Sequence, residues 1–360
     1  MDFGICMAAH INDIDYVVRA EELGFTHAWI ADSQMIWSDC YATLALAATR
    51  TSTIRLGTGV AISGTRPAPN NASGIATINA LAPGRTFFGV GAGNTAMRIM
   101  GLPPHKIREF ESYLQTLLPL LKGDEAMLRV DGREIPIRHV MPDDGFVNFD
   151  AEIPVYISGF GPRSLGLAGQ YGHGAVMSLP ASPGMMESMW AMIESGAQKA
   201  GRTINRDQFY TTALTTMVVL DEGESVDSDR VRAECGAFAM ATLHYAYDQF
   251  RNFGHQPPGV LSEVWDDYVA LMETYPEDRR HQRIHAGHNC WVVEEEEQFL
   301  TPTIMQSSCM IGTRDELLDR VRGLEAAGLN QIMLLPPFDP RFEVIERVAS
   351  DIISEQPMSN

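Results

Sequence analysis

The six residues Gly159-Phe160-Gly161-Pro162-Arg163-Ser164 join a short β-branched run to a segment of helical period and have the composition of an anion site. Glycines let the backbone come close to an anion, the N–H groups at a helix start point towards it, and Arg163 adds positive charge. Pro162 suits the first helical turn, where its missing N–H costs nothing. The same residues also read as an ordinary tight strand-to-helix turn. A second segment, Gly89-Val90-Gly91-Ala92-Gly93-Asn94, matches a dinucleotide loop only loosely. Its final position is not glycine, and the next helix is expected too far downstream to cap a phosphate. It reads instead as backbone that a flat ring can approach, with Asn94 able to hydrogen-bond a pyrimidine-like edge. The chain has no HExxH, no GxSxG elbow and no glycosidase-like acid pair. A site short of protein acids and bases points to a cofactor as the carrier of the reaction.

The histidines offer less. His285 and His288 lack a carboxylate ligand in clear register, so they read as surface or structural residues, and no metal site is expected. As part of a lid over the substrate, His288 is retained as a catalytic acid or base near neutral pH. His244, beside Tyr245 and Tyr247, is a weaker candidate of that kind. The run Glu294–Glu297 reads as a solvated face, and Cys6 as buried core.

These residues need a scaffold that gathers loops, and the chain alternates short β-branched runs with helical segments, as a parallel sheet requires. Strands are predicted at 3–8, 27–32, 54–60, 86–91, 155–158, 174–178, 210–220 and 331–335. Helices fall between them at 13–23, 39–50, 72–81, 110–121, 163–171, 185–200 and 313–327, and a closing helix covers 342–353. Phe110, Tyr113, Leu114, Leu117, Leu118 and Leu121 form one complete apolar stripe. Eight strands alternating with eight helices favour a closed (β/α)8 TIM barrel over a doubly wound open sheet. An excursion hairpin is expected near 126–150, around Asp131-Gly132. A mainly helical insertion is expected near 225–310, within one domain spanning 1–360, as lid and substrate pocket. In such barrels chemistry sits in the loops after the strands, where both glycine-rich segments lie.

The 45% apolar fraction is sufficient for a large core. A net charge of −19 argues against nucleic acid or an anionic membrane as partner, because phosphates need a basic surface. Five cysteines without CxxC or zinc-type spacing fit reduced thiols. With no signal-peptide pattern and no long apolar run, a cytoplasmic chain is expected.

Taken in order, Ala20–Ser33, Ile54–Val60, Ala76–Arg85, Phe88–Asn94, Pro154–Arg163 and Ile311–Leu317 resemble the luciferase-like superfamily of FMN-dependent monooxygenases and F420-dependent oxidoreductases. The resemblance covers most of residues 1–220 and resumes near 309. It implies that Phe160, Gly161, Arg163 and Ser164 surround a cofactor phosphate. It further implies that Ala92, Gly93 and Asn94 lie along the ring, with Asp32 at its polar edge. A non-proline cis peptide, here Gly59–Val60, would back the ring, with Ala61 and Ser178 completing the cofactor set. Some F420 reductases similar around Asp32 have His at the following position, where this chain has Ser33. Asn94 stands where some of them use an acid. Both departures tilt the expectation towards FMN.

On that reading the chain is a monooxygenase that receives reduced FMN from a separate NAD(P)H:flavin reductase. It uses O2, through a C4a-peroxyflavin, to oxygenate a small organic substrate. Ser33 and Gln34 would hydrogen-bond the peroxide, and Met7, Met35, Trp37 and Met177 would wall the substrate pocket. A homo-oligomer is expected. The alternatives are an F420-dependent reductase or dehydrogenase and a flavin-binding protein without catalysis.

Overall fold

A computed structural model describes residues 1–355. Its strands are β1 (Asp2–Met7), β2 (His27–Ile30), β3 (Arg55–Thr58), β4 (Ala61–Ile62), β5 (Thr86–Gly91), β6 (Ala126–Val130), β7 (Arg133–Ile137), β8 (Val155–Ser158), β9 (Gly174–Ser178), β10 (Tyr210–Thr215), β11 (Met217–Val219), β12 (Met310–Gly312) and β13 (Gln331–Leu334). The helices are α1 (Ile14–Glu22), α2 (Cys40–Arg50), α3 (Ala68–Leu81), α4 (Asn94–Arg98), α5 (Ile107–Leu120), α6 (Pro162–Tyr171), α7 (Pro183–Lys199), α8 (Asp229–Phe253), α9 (Trp265–Glu273), α10 (His281–Ile284), α11 (Pro302–Ser308), α12 (Arg314–Ala326) and α13 (Arg341–Asp351).

The main sheet runs β3-β2-β1-β13-β10-β9-β8-β5, and β5 pairs back onto β3 to close it. This is the expected eight-stranded parallel barrel surrounded by helices. By contact density the chain forms two compact units, Met1–Met97 with Pro103–Ala213 and Leu324–Ile332, and Arg98–Leu102 with Leu214–Gly323 and Met333 onwards.

In the first unit the barrel interior is packed solid. Trp29 lies 4.3 Å from the Phe87 ring, Phe87 5.5 Å from Tyr156, and Tyr156 5.4 Å from Tyr210. These residues come from β2, β5, β8 and β10, of which only β5 and β8 are neighbours in the sheet, so the Trp29–Phe87 and Tyr156–Tyr210 pairs meet inside the barrel past an intervening strand. Gln331 ties them together. Its Oε1 accepts from Trp29 Nε1 and Thr212 Oγ1, both at 2.9 Å, and its Nε2 donates to Tyr210 at 3.1 Å. A buried amide is tolerable only with such partners. The filled interior leaves the strand ends, rather than a central channel, as the place for a ligand.

Three predicted elements differ. The third strand stops at Thr58, passes through a cis Gly59–Val60 bond and resumes as β4. A short helix, α4, starts at Asn94 directly after the glycine-rich segment, where no nearby helix was expected. The strand predicted over 210–220 breaks at Thr216, because β11 leaves the barrel sheet to pair with β12, Met217 opposite Met310. The hairpin is as expected: β6 and β7 pair antiparallel around Asp131 and Gly132, both at positive φ.

The second unit is mainly helical and carries its own core. The long α8 starts at a Ser228 cap that accepts from Val231 N and ends at Gly254 in the left-handed conformation. It buries Val231, Cys235, Met240, Leu243 and Tyr247 against Leu261, Tyr268 and Met305. All five cysteines of the chain are buried and free of disulfides. Cys6 is core, its thiol pushed up to about 12 by burial.

Candidate functional site

Strand register brings the predicted loops to one rim of the barrel. Met7 pairs with Ile30, Ile30 with Thr58, Ile62 with Gly91, Val90 with Ile157, and Ser158 with Val176. The residues following these positions are Asp32 and Ser33, Gly59 to Ala61, Ala92 to Asn94, Gly159 to Ser164, and Ser178. The rim therefore gathers every cofactor residue expected from the sequence.

Asp32 follows β2 and is only 4% exposed. Its carboxylate accepts from Arg66 Nε at 3.3 Å. Burial pushes the Asp32 carboxyl above the usual range, against the opposing pull of Arg66. Arg66 also reaches Asp39 at 2.5 Å, and Asp39 caps α2 by accepting from Ala42 N. The guanidinium thus links the rim carboxylate to the start of the next helix. Ser33 is buried beside Asp32, and Gln34 donates to the Ala96 carbonyl at 2.7 Å, tying the second loop to α4. Met35 has positive φ and is 79% exposed, whereas Trp37 is half-buried. Met7 and Met177 are buried at their strand ends.

The cis Gly59–Val60 bond turns the chain at the rim. A β-carbon on Gly59 would sit 2.6 Å from Trp29 Cβ, so no other residue fits without movement there. Val60 is half-exposed, and its methyl groups lie 3.0–3.1 Å from where β-carbons on Gly89 and Gly91 would be. The glycines of β5 thus make room for the Val60 bulge. Gly93 has φ +86°, and a side chain there would run into Ile62 Cγ2 at 2.2 Å.

At the other side of the rim, Ser164 Oγ accepts from Gly161 N and donates to Gly161 O, fixing the start of α6. Phe160 is 58% exposed, and Arg163 is exposed as well. A ten-residue helix presenting its N-terminus with an exposed arginine suits a phosphate. The glycine-lined crevice suits a planar ring. The residues therefore fit a phosphate-bearing flavin-type group.

Two residues of the rim lay outside the sequence reading. Arg66 follows β4 with no motif to mark it. His105, half-buried, has its Nδ1 3.0 Å from Ser63 Oγ, and its backbone N–H donates to the Ala92 carbonyl. Only the fold brings these positions beside Asp32 and Ala92, respectively.

His288 is in the second unit. It is buried there with His285 and His244 rather than exposed. The acidic run is not wholly solvated either: Glu296 is 1% exposed and its Oε2 lies 3.1 Å from His244 Nε2. The 3-10 turn over Glu294–Phe299 directs that one glutamate inwards while its neighbours stay exposed.

The family model for luciferase-like monooxygenases matches residues 4–331. The chain belongs to the luciferase-like family, whose members are oxidoreductases built around a flavin-type cofactor, FMN or F420. It is 30% identical over 94% of both chains to a 5,10-methylenetetrahydromethanopterin reductase of Methanolobus tindarius. It is 26% identical to the enzyme of that name from Archaeoglobus fulgidus, over 98% of this chain and 99% of that one. Among solved structures it is similar to the coenzyme F420-dependent tetrahydromethanopterin reductase of Methanopyrus kandleri, with TM-score 0.69, 22% identity and 98% of each chain covered. No helix among the described residues is long and apolar enough to cross a membrane.

Proposed function

We propose that this chain is an F420-dependent reductase or dehydrogenase, which reverses the preference for FMN drawn from Ser33 and Asn94. The observation that carries the reading is the 29% identity to an F420-dependent glucose-6-phosphate dehydrogenase over 94% of this chain and 91% of that one, beside the 30% identity to a reductase along 94% of both chains. The barrel rim is compatible with it, since hydride transfer needs a positioned ring and substrate more than a set of protein acids and bases.

When bound, F420 supplies a two-electron hydride carrier. The chain's own residues then have separable tasks. Phe160, Gly161, Arg163 and Ser164 hold the phosphate. Ala92, Gly93 and Asn94 on one side, and Gly59, Val60 and Ala61 on the other, fix the ring plane. Asp32, kept in place by Arg66, takes a hydrogen bond at the polar edge. Ser33 and Gln34 orient the reacting face, and Ser178 completes the contact at the end of β9. Met7, Met35, Trp37 and Met177 exclude water on the substrate side.

The FMN monooxygenase remains the second reading, favoured by one feature: Ser33 and Asn94 stand where some F420 enzymes have a histidine and an acid. Anaerobic titration of the full chain with F420 and with FMN, in both redox states, separates the two. The expected result is F420 affinity at least tenfold above that for FMN. FMN binding without F420 binding overturns the proposal.

A further inference from the structure

In the second unit, three histidines come together although they are distant in sequence. His244 is on α8, His285 ends α10, and His288 lies in the turn that follows. All three are buried, and each offers a nitrogen within 4.8 Å of the others. The His244 and His285 ring centroids are 5.7 Å apart and those of His285 and His288 5.1 Å, with each pair close to perpendicular.

The hydrogen bonds indicate which nitrogens are used. Glu296 Oε2 lies 3.1 Å from His244 Nε2, and Asp248 Oδ2 lies 2.9 Å from His285 Nε2. A carboxylate on Nε2 fixes the proton there and leaves the lone pair on Nδ1. Nδ1 of His244 and Nδ1 of His285 are both buried without a hydrogen-bond partner. Two orphaned acceptors side by side are costly in a folded core, and a cation satisfies both at once. The third ring differs: Asn289 Nδ2 lies 3.0 Å from His288 Nε2, while Asn289 Oδ1 is buried without a hydrogen-bond partner, so turning that amide over would satisfy Oδ1, place the His288 proton on Nε2 and leave Nδ1 as its ligating nitrogen.

We infer that His244, His285 and His288 bind one divalent transition-metal ion of the zinc type, with Glu296 and Asp248 as the outer carboxylates that orient two of the ligands. Three neutral imidazoles suit such an ion at about 2.0–2.1 Å from each nitrogen, with a fourth position for water. Because the site is buried, the ion acts as a crosslink. It ties α8 to the 285–289 turn and, through Glu296, to the 3-10 turn behind it. None of the barrel-rim residues takes part, so the inference stands apart from the cofactor assignment.

The test uses the untagged full-length chain. Elemental analysis after growth in zinc-supplemented medium is expected to find about one zinc per chain. Dialysis against a chelator should lower the melting temperature, and added Zn2+ should restore it. Co2+ added to the stripped chain should give the intense visible bands of a four-coordinate ion. His285→Ala should abolish binding. Since that variant is liable to misfold, Glu296→Gln keeps all three ligands and should weaken Zn2+ affinity about 10–100-fold. The inference is overturned if the wild-type chain takes up no stoichiometric zinc, if its Co2+ spectrum is that of the aqueous ion, or if Glu296→Gln binds Zn2+ as tightly as wild type.

Discussion

Arg66 Nε lies 3.3 Å from the Asp32 carboxylate at the barrel rim, and a terminal nitrogen of the same guanidinium lies 2.5 Å from Asp39. One cation thus supports a nearly buried acid on one side and a helix cap on the other. In Arg66→Met the Asp32 charge would stay buried without a partner. We expect a loss of about 1–3 kcal/mol near neutral pH, because an unsatisfied buried charge costs more than the pair contributes. The sign with pH follows from linkage. The Asp32 carboxyl is already raised, and losing Arg66 raises it further, so the folded variant holds a proton that the unfolded chain releases. The deficit relative to wild type should therefore grow as pH rises from about 4 and shrink in acid. Urea unfolding of both proteins between pH 4 and 8 checks this, and a pH-independent difference would exclude the ion pair as its cause.

Gly93 should tolerate no side chain. Its φ of +86° disfavours an L-residue, and a β-carbon would meet Ile62 Cγ2 at 2.2 Å. Gly93→Ala is expected to destabilise the chain by about 1–3 kcal/mol and to weaken cofactor binding by more than tenfold. Gly132→Ala is the control. It sits at a hairpin turn with φ +73° and nothing within 4 Å, so it should cost stability but leave cofactor affinity unchanged. Equal binding by the two variants would mean that Gly93 does not border the ring.

The contrast between these glycines also marks what the sequence made legible. Asp131-Gly132 announces its hairpin because turn chemistry is local. The barrel strands and the rim segments were readable for a similar reason: period, glycine placement and motif order are properties of neighbouring residues. Arg66 and His105 were not readable, since nothing near them in the chain refers to Asp32 or Ala92. The break at Thr216 was hidden because both halves of 210–220 are equally β-branched, and only the distant β12 draws β11 away. The histidine cluster was not readable for the same physical reason. His285 and His288 lacked a carboxylate in local register, while their cluster is completed by His244, Asp248 and Glu296, brought in by tertiary packing.

Arg163 is exposed at the start of α6 and makes no contribution to the core. Arg163→Ala should therefore leave stability within about 0.5 kcal/mol of wild type. If Arg163 meets a cofactor phosphate, the lost charge-assisted contact should cost about 1.5–3 kcal/mol of binding, a roughly tenfold to hundredfold rise in Kd. Raising ionic strength should narrow that gap between variant and wild type, because the contact is exposed to screening. Fluorescence titration at two salt concentrations measures both effects, and unchanged affinity at low salt would remove Arg163 from the phosphate site.

His27 is packed inside the barrel between Phe87 and Tyr210. Burial, aided by the charge of Arg55, lowers its pKa to about 3. The folded chain therefore holds His27 neutral, while the unfolded chain protonates it near its ordinary value of about 6.5. Between those two values the unfolded state binds the extra proton, so folding stability falls as pH is lowered through this window. The slope is at most about 1.4 kcal/mol per pH unit for this one group. His27→Phe removes the titration without removing the ring. The variant also gives up the Thr26 Oγ1 contact to Nδ1 at 2.8 Å, so some loss at pH 8 is expected. Its deficit relative to wild type should then narrow steadily from pH 6.5 towards pH 4, and a deficit that stays constant over that range would show that His27 does not titrate on unfolding.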